Sequence, residues 1–210
     1  MNLFIVLILS TALSAFAQKS SRDYFLPAAK KNKAIFNMPD HNSKQSEFAR
    51  VMYYLKKEDH YEITDTIKYH NKSTRIETRT VEFTPTEVHL IKLISTTDSE
   101  SNKITRYDPP KVILKVPGIG QILTWSYKDS LGRKTNFAAE WVKFKLNNVN
   151  TRAIKITETI NLSNGLLFDG KRIYYYMEGI GLWKMEGETR NLLHVIWEFE
   201  KLEYNSTIRK

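Results

Sequence analysis

Asp65 and Glu158 are the two residues of this 210-residue chain whose setting invites chemistry. Counting every second residue, Asp65 falls among Tyr61, Ile63, Ile67 and Tyr69, and Glu158 among Ile154, Ile156, Ile160 and Leu162. In a strand that period places each carboxylate on an otherwise apolar face. A carboxylate buried there without a partner is costly, or stays protonated with a raised pKa. Two such groups around one cavity would form an acid/base pair of the kind glycoside hydrolysis uses. They would serve equally well as acceptors for a ligand, or as partners for Arg79, which shares a face with Val81 and Phe83. A bulge beside either residue would instead turn it to solvent, because one inserted residue reverses the pleat. Neither carboxylate sits in a recognised catalytic motif, so the hydrolase reading ranks last.

Other chemistries find no support in the residues. The histidines (His41, His60, His70, His89 and His194) show no metal-ligand spacing. Cysteine is absent, which removes thiol nucleophiles, redox pairs and cysteine-based metal sites. No Gly-x-Ser-x-Gly elbow occurs. Gly118-Ile119-Gly120 and Gly179-Ile180-Gly181 lack the third spaced glycine and following helix of a dinucleotide loop. They read as bends or bulges, where positive φ or a close backbone is needed. No cofactor, metal or catalytic residue is expected.

Aromatic residues supply the remaining candidate site. They make up 12% of the chain, enough to line a cavity as well as a core. Trp125, Tyr175, Trp183 and Trp197 would line an apolar concavity, with Asp65 or Glu158 as polar anchors. The alternative is a two-sided core in which the same rings pack against each other. Tyr174 and Tyr176, behind Tyr175, are compatible with both.

The elements that must position these residues are strands. Lys171–Glu186 sets the pattern: Ile173, Tyr175 and Met177 alternate with Arg172, Tyr174 and Tyr176, and Leu182, Trp183 and Met185 resume after the glycine pair. A short strand is expected near 34–38. Residues 47–57 admit two readings: Phe48, Val51, Met52 and Leu55 fit helical spacing, while Val51–Leu55 has strand composition. The strand is favoured, as the first arm of a hairpin that turns at Lys57-Glu58-Asp59 into 60–70. Further strands are expected around 75–83, 88–95, 103–107, 111–116, 123–127, 135–146, 154–162 and 192–199. Asp108-Pro109-Pro110 interrupts the ladder between two of them. Short strands between turn signals, with almost no helical periodicity, define an all-β class: an antiparallel curved sheet, half-barrel or sandwich-like, with at most one or two short helices. No linker divides it. Residues 18–46 read as an extended lead-in and loop, with Tyr24-Phe25 docking on the body, and 47–210 as a single β domain.

Residues 1–17 read as a secretion signal: an apolar run, Leu3 to Leu9, ends in Ala15-Phe16-Ala17 before Gln18. The apolar core is short for a bilayer span. A secreted or periplasmic protein is therefore expected, without a lipid-modified cysteine and held together by its own core. The net charge of +9 is spread among acidic residues rather than gathered on one face, which argues against nucleic acid as a partner.

Four segments carry a family resemblance: Tyr24-Phe25-Leu26-Pro27, Asp108-Pro109-Pro110, Gly120-Gln121-Ile122-Leu123-Thr124-Trp125, and Tyr174 to Trp183 through Gly179-Ile180-Gly181-Leu182. With these the chain resembles small uncharacterised secreted β-rich proteins of Bacteroidetes-type bacteria. The resemblance implies an envelope or secreted location and no established activity. By analogy of fold alone it looks like the curved half-barrel of periplasmic lipoprotein carriers. The expected function is an exported, non-enzymatic β domain of the bacterial envelope that binds a lipid or other amphipathic ligand. The alternative is a structural or protein-interaction module with an envelope protein as partner and no small ligand.

Overall fold

Among the described residues, alternating apolar and polar residues build twelve strands. The computed structural model describes residues 19–28, 32–37, 49–68, 74–98, 100–146, 149–161, 170–188 and 194–203. The expected signal, residues 1–17, and the loop 38–46 lie outside the described residues. The strands are β1 (Lys33–Asn37), β2 (Ala49–Lys56), β3 (Tyr61–Lys68), β4 (Thr74–Phe83), β5 (Glu87–Thr97) and β6 (Glu100–Lys115). They continue as β7 (Ile122–Lys128), β8 (Lys134–Leu146), β9 (Val149–Asn161), β10 (Gly170–Met177), β11 (Gly181–Glu188) and β12 (His194–Glu203).

Neighbours in sequence pair antiparallel except β6 and β7, and β1 also pairs with β12, giving the order β6-β5-β4-β3-β2-β1-β12-β11-β10-β9-β8-β7. The first and last strands therefore join in the middle of the sheet. Its two free edges, β6 and β7, are consecutive in the chain. The sheet curls until these edges face each other without pairing. The Trp125 indole on β7 donates to the Val112 carbonyl on β6 at 2.9 Å, and Tyr107 meets Tyr127 edge to face at 5.7 Å. The result is an open half-barrel, as the all-β reading expects.

The hairpin expected over 47–70 forms as β2 and β3, its turn closed by the Lys57 N–H donating to the His60 carbonyl at 2.9 Å. The proline pair shifts the register without ending the strand: the two strands expected around 103–107 and 111–116 form one, β6. Lys92 pairs with Arg106 and Leu90 with Lys111, so Tyr107–Pro110 bulge out opposite Ile91 alone. Proline lacks the N–H a ladder needs, and a bulge on an edge strand tolerates that.

The lead-in departs from the extended reading. Ser21–Phe25 forms a short helix, α1. The Asp23 carboxylate accepts from the Ser20 amide at 2.8 Å and the Ser20 hydroxyl at 3.0 Å, and the Ser20 carbonyl accepts from the Asp23 amide. Those reciprocal bonds start the helix, and Pro27 follows its end. The helix lies across one mouth of the half-barrel and ties the two halves together. The Ser21 amide donates to the Pro85 carbonyl in the β4–β5 turn, and the Gly179 amide in the β10–β11 turn donates to the Asp23 carbonyl. Phe25 stacks on Tyr176 at 5.2 Å and meets Phe83 edge to face at 5.9 Å. Gly181 is needed here on two counts: its φ is +81°, and an added Cβ would stand 2.8 Å from the Phe25 carbonyl oxygen.

The interior is graded along its axis. Beneath α1 it is apolar, with Phe25, Phe36, Val88, Leu114, Ile154 and Leu182 buried. Towards the other mouth it becomes charged.

Candidate functional site

Both carboxylates singled out by spacing face the interior, and neither is flipped to solvent by a bulge. Asp65 pairs across the ladder with Met52 and Glu77 and is fully buried. Arg50 on β2 grips it with a fork: Nε donates to the two carboxylate oxygens at 2.9 and 3.1 Å, and Nη2 donates at 2.5 Å. Arg79, the partner that face-sharing suggested, lies 3.6 Å from Asp65 and donates to Glu77 at 2.7 Å. Arg75 closes the chain on the other Glu77 oxygen. Burial alone would raise the Glu77 carboxyl, but the Arg79 and Arg75 guanidiniums hold it below the usual carboxylate range.

Glu158 belongs to the facing half. Lys111 on β6 donates to it at 3.1 Å, spanning the seam between the sheet edges, and the Tyr174 hydroxyl donates at 2.9 Å. Burial pushes this carboxyl up too, yet Lys111 and Arg172 together bring it below its ordinary value. Tyr174, half-buried beside it, has its phenol pushed well above the usual range, first by loss of solvent and then by the Glu158 charge. Each carboxylate is therefore an acceptor already occupied by cations. Glu158 is held ionised, the opposite of the raised pKa that a general acid needs at neutral pH.

The aromatic candidates divide between the two faces of the sheet. Trp125 points inward, stacked on Phe137 at 5.2 Å, with Lys115 over its ring at 5.7 Å. Tyr175 and Trp183 stand on the outer face and do not line the concavity. The inward positions of β10 belong to Arg172, Tyr174 and Tyr176, which pair with Glu158, Ile156 and Ile154 of β9. A bulge between Tyr175 and Tyr176 leaves Trp183 outside, stacked on Phe144 at 4.4 Å and edge-on to Tyr175 at 6.2 Å. Alternation alone could not choose between two aromatic faces of one strand; the register with β9 chooses. Trp197 pairs with Met185 along β12, and its side chain lies outside the described residues. The six candidate residues thus do not gather around one cavity.

A cleft of about 460 Å³ opens elsewhere, at the mouth crossed by α1. Leu26 and Pro27 form one wall, and Tyr54 of β2 and Tyr61 of β3 form the other. Arg22, Asp23, Lys56 and Glu178 stand around it. Sequence reading missed this site because it depends on where α1 docks, a contact across more than half the chain. The available signal was the Tyr24–Pro27 island, with Arg22 and Asp23 just before it.

No family model matches the chain, and no curated protein matches it. Among solved structures it resembles a candidate exported protein with a YmcC-like fold from Bacteroides fragilis. That structure shows 9% identity and a TM-score of 0.44, and the match covers 86% of this chain and 99% of that one. It also resembles a β-barrel-like protein of the domain of unknown function DUF1849 from Brucella abortus, at 8% identity and a TM-score of 0.43, covering 85% and 99%. The chain is by its own architecture an open antiparallel β half-barrel with a helical plug, and the chemistry of its site rests on its own residues.

Proposed function

We propose that this chain is an exported, non-enzymatic half-barrel domain of the bacterial envelope that takes an apolar or amphipathic ligand in the cleft beside α1. The observation that carries the reading is the cleft itself: about 460 Å³, walled by Leu26, Pro27, Tyr54 and Tyr61 and rimmed by charge. That is the size and mixed character of small-molecule sites. The absence of an enzyme role is supported by Asp65 and Glu158, which spend their acceptor capacity on Arg50, Lys111 and Tyr174. Export is supported by the apolar run and the Ala15-Phe16-Ala17 sequence before Gln18.

The second reading, a module without a small ligand, is favoured by Trp125, whose ring and N–H are both engaged within the protein. Native mass spectrometry of the protein recovered from a periplasmic fraction separates the two. A stoichiometric co-purified amphipath, on a chain whose first residue is Gln18, is the expected result. A bare chain that also fails to bind added single-chain detergents assigns the module instead, and recovery of unprocessed chain from the cytoplasm overturns export.

A further inference from the structure

We infer that the ligand of the α1 cleft is a single-chain anionic amphipath whose carboxylate or phosphate sits between Arg22 and Lys56. This rests on the cleft being a ligand site and adds the charge and orientation of what it holds.

Four charged side chains rim the cleft, and they are not equivalent. Both acids are engaged. Asp23 accepts two bonds from Ser20, and Glu178 is ion-paired with Lys19 at 3.0 Å. Near the β2–β3 turn, Glu62 is taken by Lys57 at 3.8 Å, and Asp59 is bonded to His60 at 2.6 Å. Arg22 and Lys56 have no carboxylate partner among the described residues. Both stand beside Tyr61: the Arg22 guanidinium lies over its ring at 5.2 Å, and Lys56 is its register partner across the β2–β3 ladder. Residues directly opposite in an antiparallel pair share a face, so the two cations flank the tyrosine from α1 and from β2.

With Glu178 neutralised by Lys19, Arg22 and Lys56 outweigh Asp23 at the rim of a partly apolar cleft, and the net positive rim attracts an anion and repels a cation. A guanidinium presents a planar fork that matches carboxylate or phosphate oxygens, and an ammonium adds a point charge. Leu26 and Tyr54 are buried beside them and receive an alkyl chain that leads inward from the headgroup. The cleft therefore reads a ligand with one charged end and one apolar end.

Four ligands with the same twelve-carbon tail test this on the full mature chain: dodecanoate, dodecyl phosphate, dodecyl maltoside and dodecyltrimethylammonium, titrated calorimetrically below their micelle thresholds. Dodecanoate or dodecyl phosphate should bind tightest, more weakly as salt rises, and the preference between them distinguishes a fatty-acid from a phosphate headgroup. Arg22→Gln and Lys56→Gln should each weaken the anion by about tenfold and leave dodecyl maltoside unchanged. Lys57→Gln, just outside the cleft, should leave both unchanged. If dodecyl maltoside binds as tightly as the anions and neither substitution matters, the anion assignment is overturned while the amphipath site stands. If none of the four binds, the ligand site itself falls.

Discussion

The carbonyl oxygen of Phe25 stands 2.8 Å from the point a Cβ on Gly181 would occupy. That distance ties the plug helix to the glycine pair of the β10–β11 turn. Gly181→Ala must displace the backbone that carries Phe25, as well as tolerate φ of +81°. Gly120 is the matched control, with φ of +75° and nothing within 4 Å of an added Cβ. Gly120→Ala should cost only the left-handed penalty, roughly 1 kcal/mol. Gly181→Ala should cost at least about 1 kcal/mol beyond that, read as a difference in urea midpoint. Equal midpoints for the two variants would show that α1 is not held against this turn.

Gly181 also shows how far the sequence reaches. Two glycines around Ile180 announced a bend or a close backbone, and both hold at Gly181; that the neighbour is Phe25 could not be read, since nothing local names a partner so distant in the chain. The strands themselves were legible because alternation is a local signal: Ile63 and Asp65 of β3, and Ile154, Ile156 and Glu158 of β9, are buried on one face as the period requires. Tyr174 to Tyr176 carried no such signal, since three successive aromatics satisfy either face. Alternation also could not see that Asp65 would meet Arg50, which depends on the β2–β3 register. The helix at Ser21 was hidden for another reason. At five residues it is too short to show a period, and its only mark is the Ser20-to-Asp23 spacing.

The Arg50–Asp65 pair should behave as a buried ion pair that is costly to break and cheap to replace. Its side chains are 3% and 0% exposed, so the remaining charge after a single substitution has no water to turn to. Asp65→Leu or Arg50→Met should each destabilise by about 3–5 kcal/mol. The double change Arg50→Met with Asp65→Leu should recover most of that, with Arg79 still held by Glu77. Denaturant unfolding of the three variants measures the cycle, and an additive double mutant would contradict the pairing.

Acid should loosen the seam before it unfolds the sheet. Glu158 has its folded pKa below the ordinary 4.5, so its contribution is fully present above that value and lost as pH falls through the lower folded value. Glu77 shifts the same way, under Arg79 and Arg75. Stability measured from pH 6 down to about pH 3 should therefore fall, the unfolded state taking up protons first. Glu158→Gln should lower stability at neutral pH and flatten that slope. A slope unchanged by the substitution would remove Glu158 from the acid response.

Trp125 closes the one place where the ladder is missing. Its ring stacks on Phe137, and its N–H reaches the Val112 carbonyl on the opposite edge at 2.9 Å, a side-chain bond between β6 and β7. Trp125→Phe keeps an aromatic ring against Phe137 and removes the donor together with the volume of the pyrrole ring, leaving the carbonyl to find water. The expected loss is about 1–2 kcal/mol. Because the bond spans the seam, its loss should be felt locally: amides of β6 and β7 should exchange faster, while β2 and β3, paired on both sides by backbone, keep their protection. Uniform acceleration across all four strands would mean that the seam opens only with the whole sheet, and that the indole bond is not what holds the two edges together.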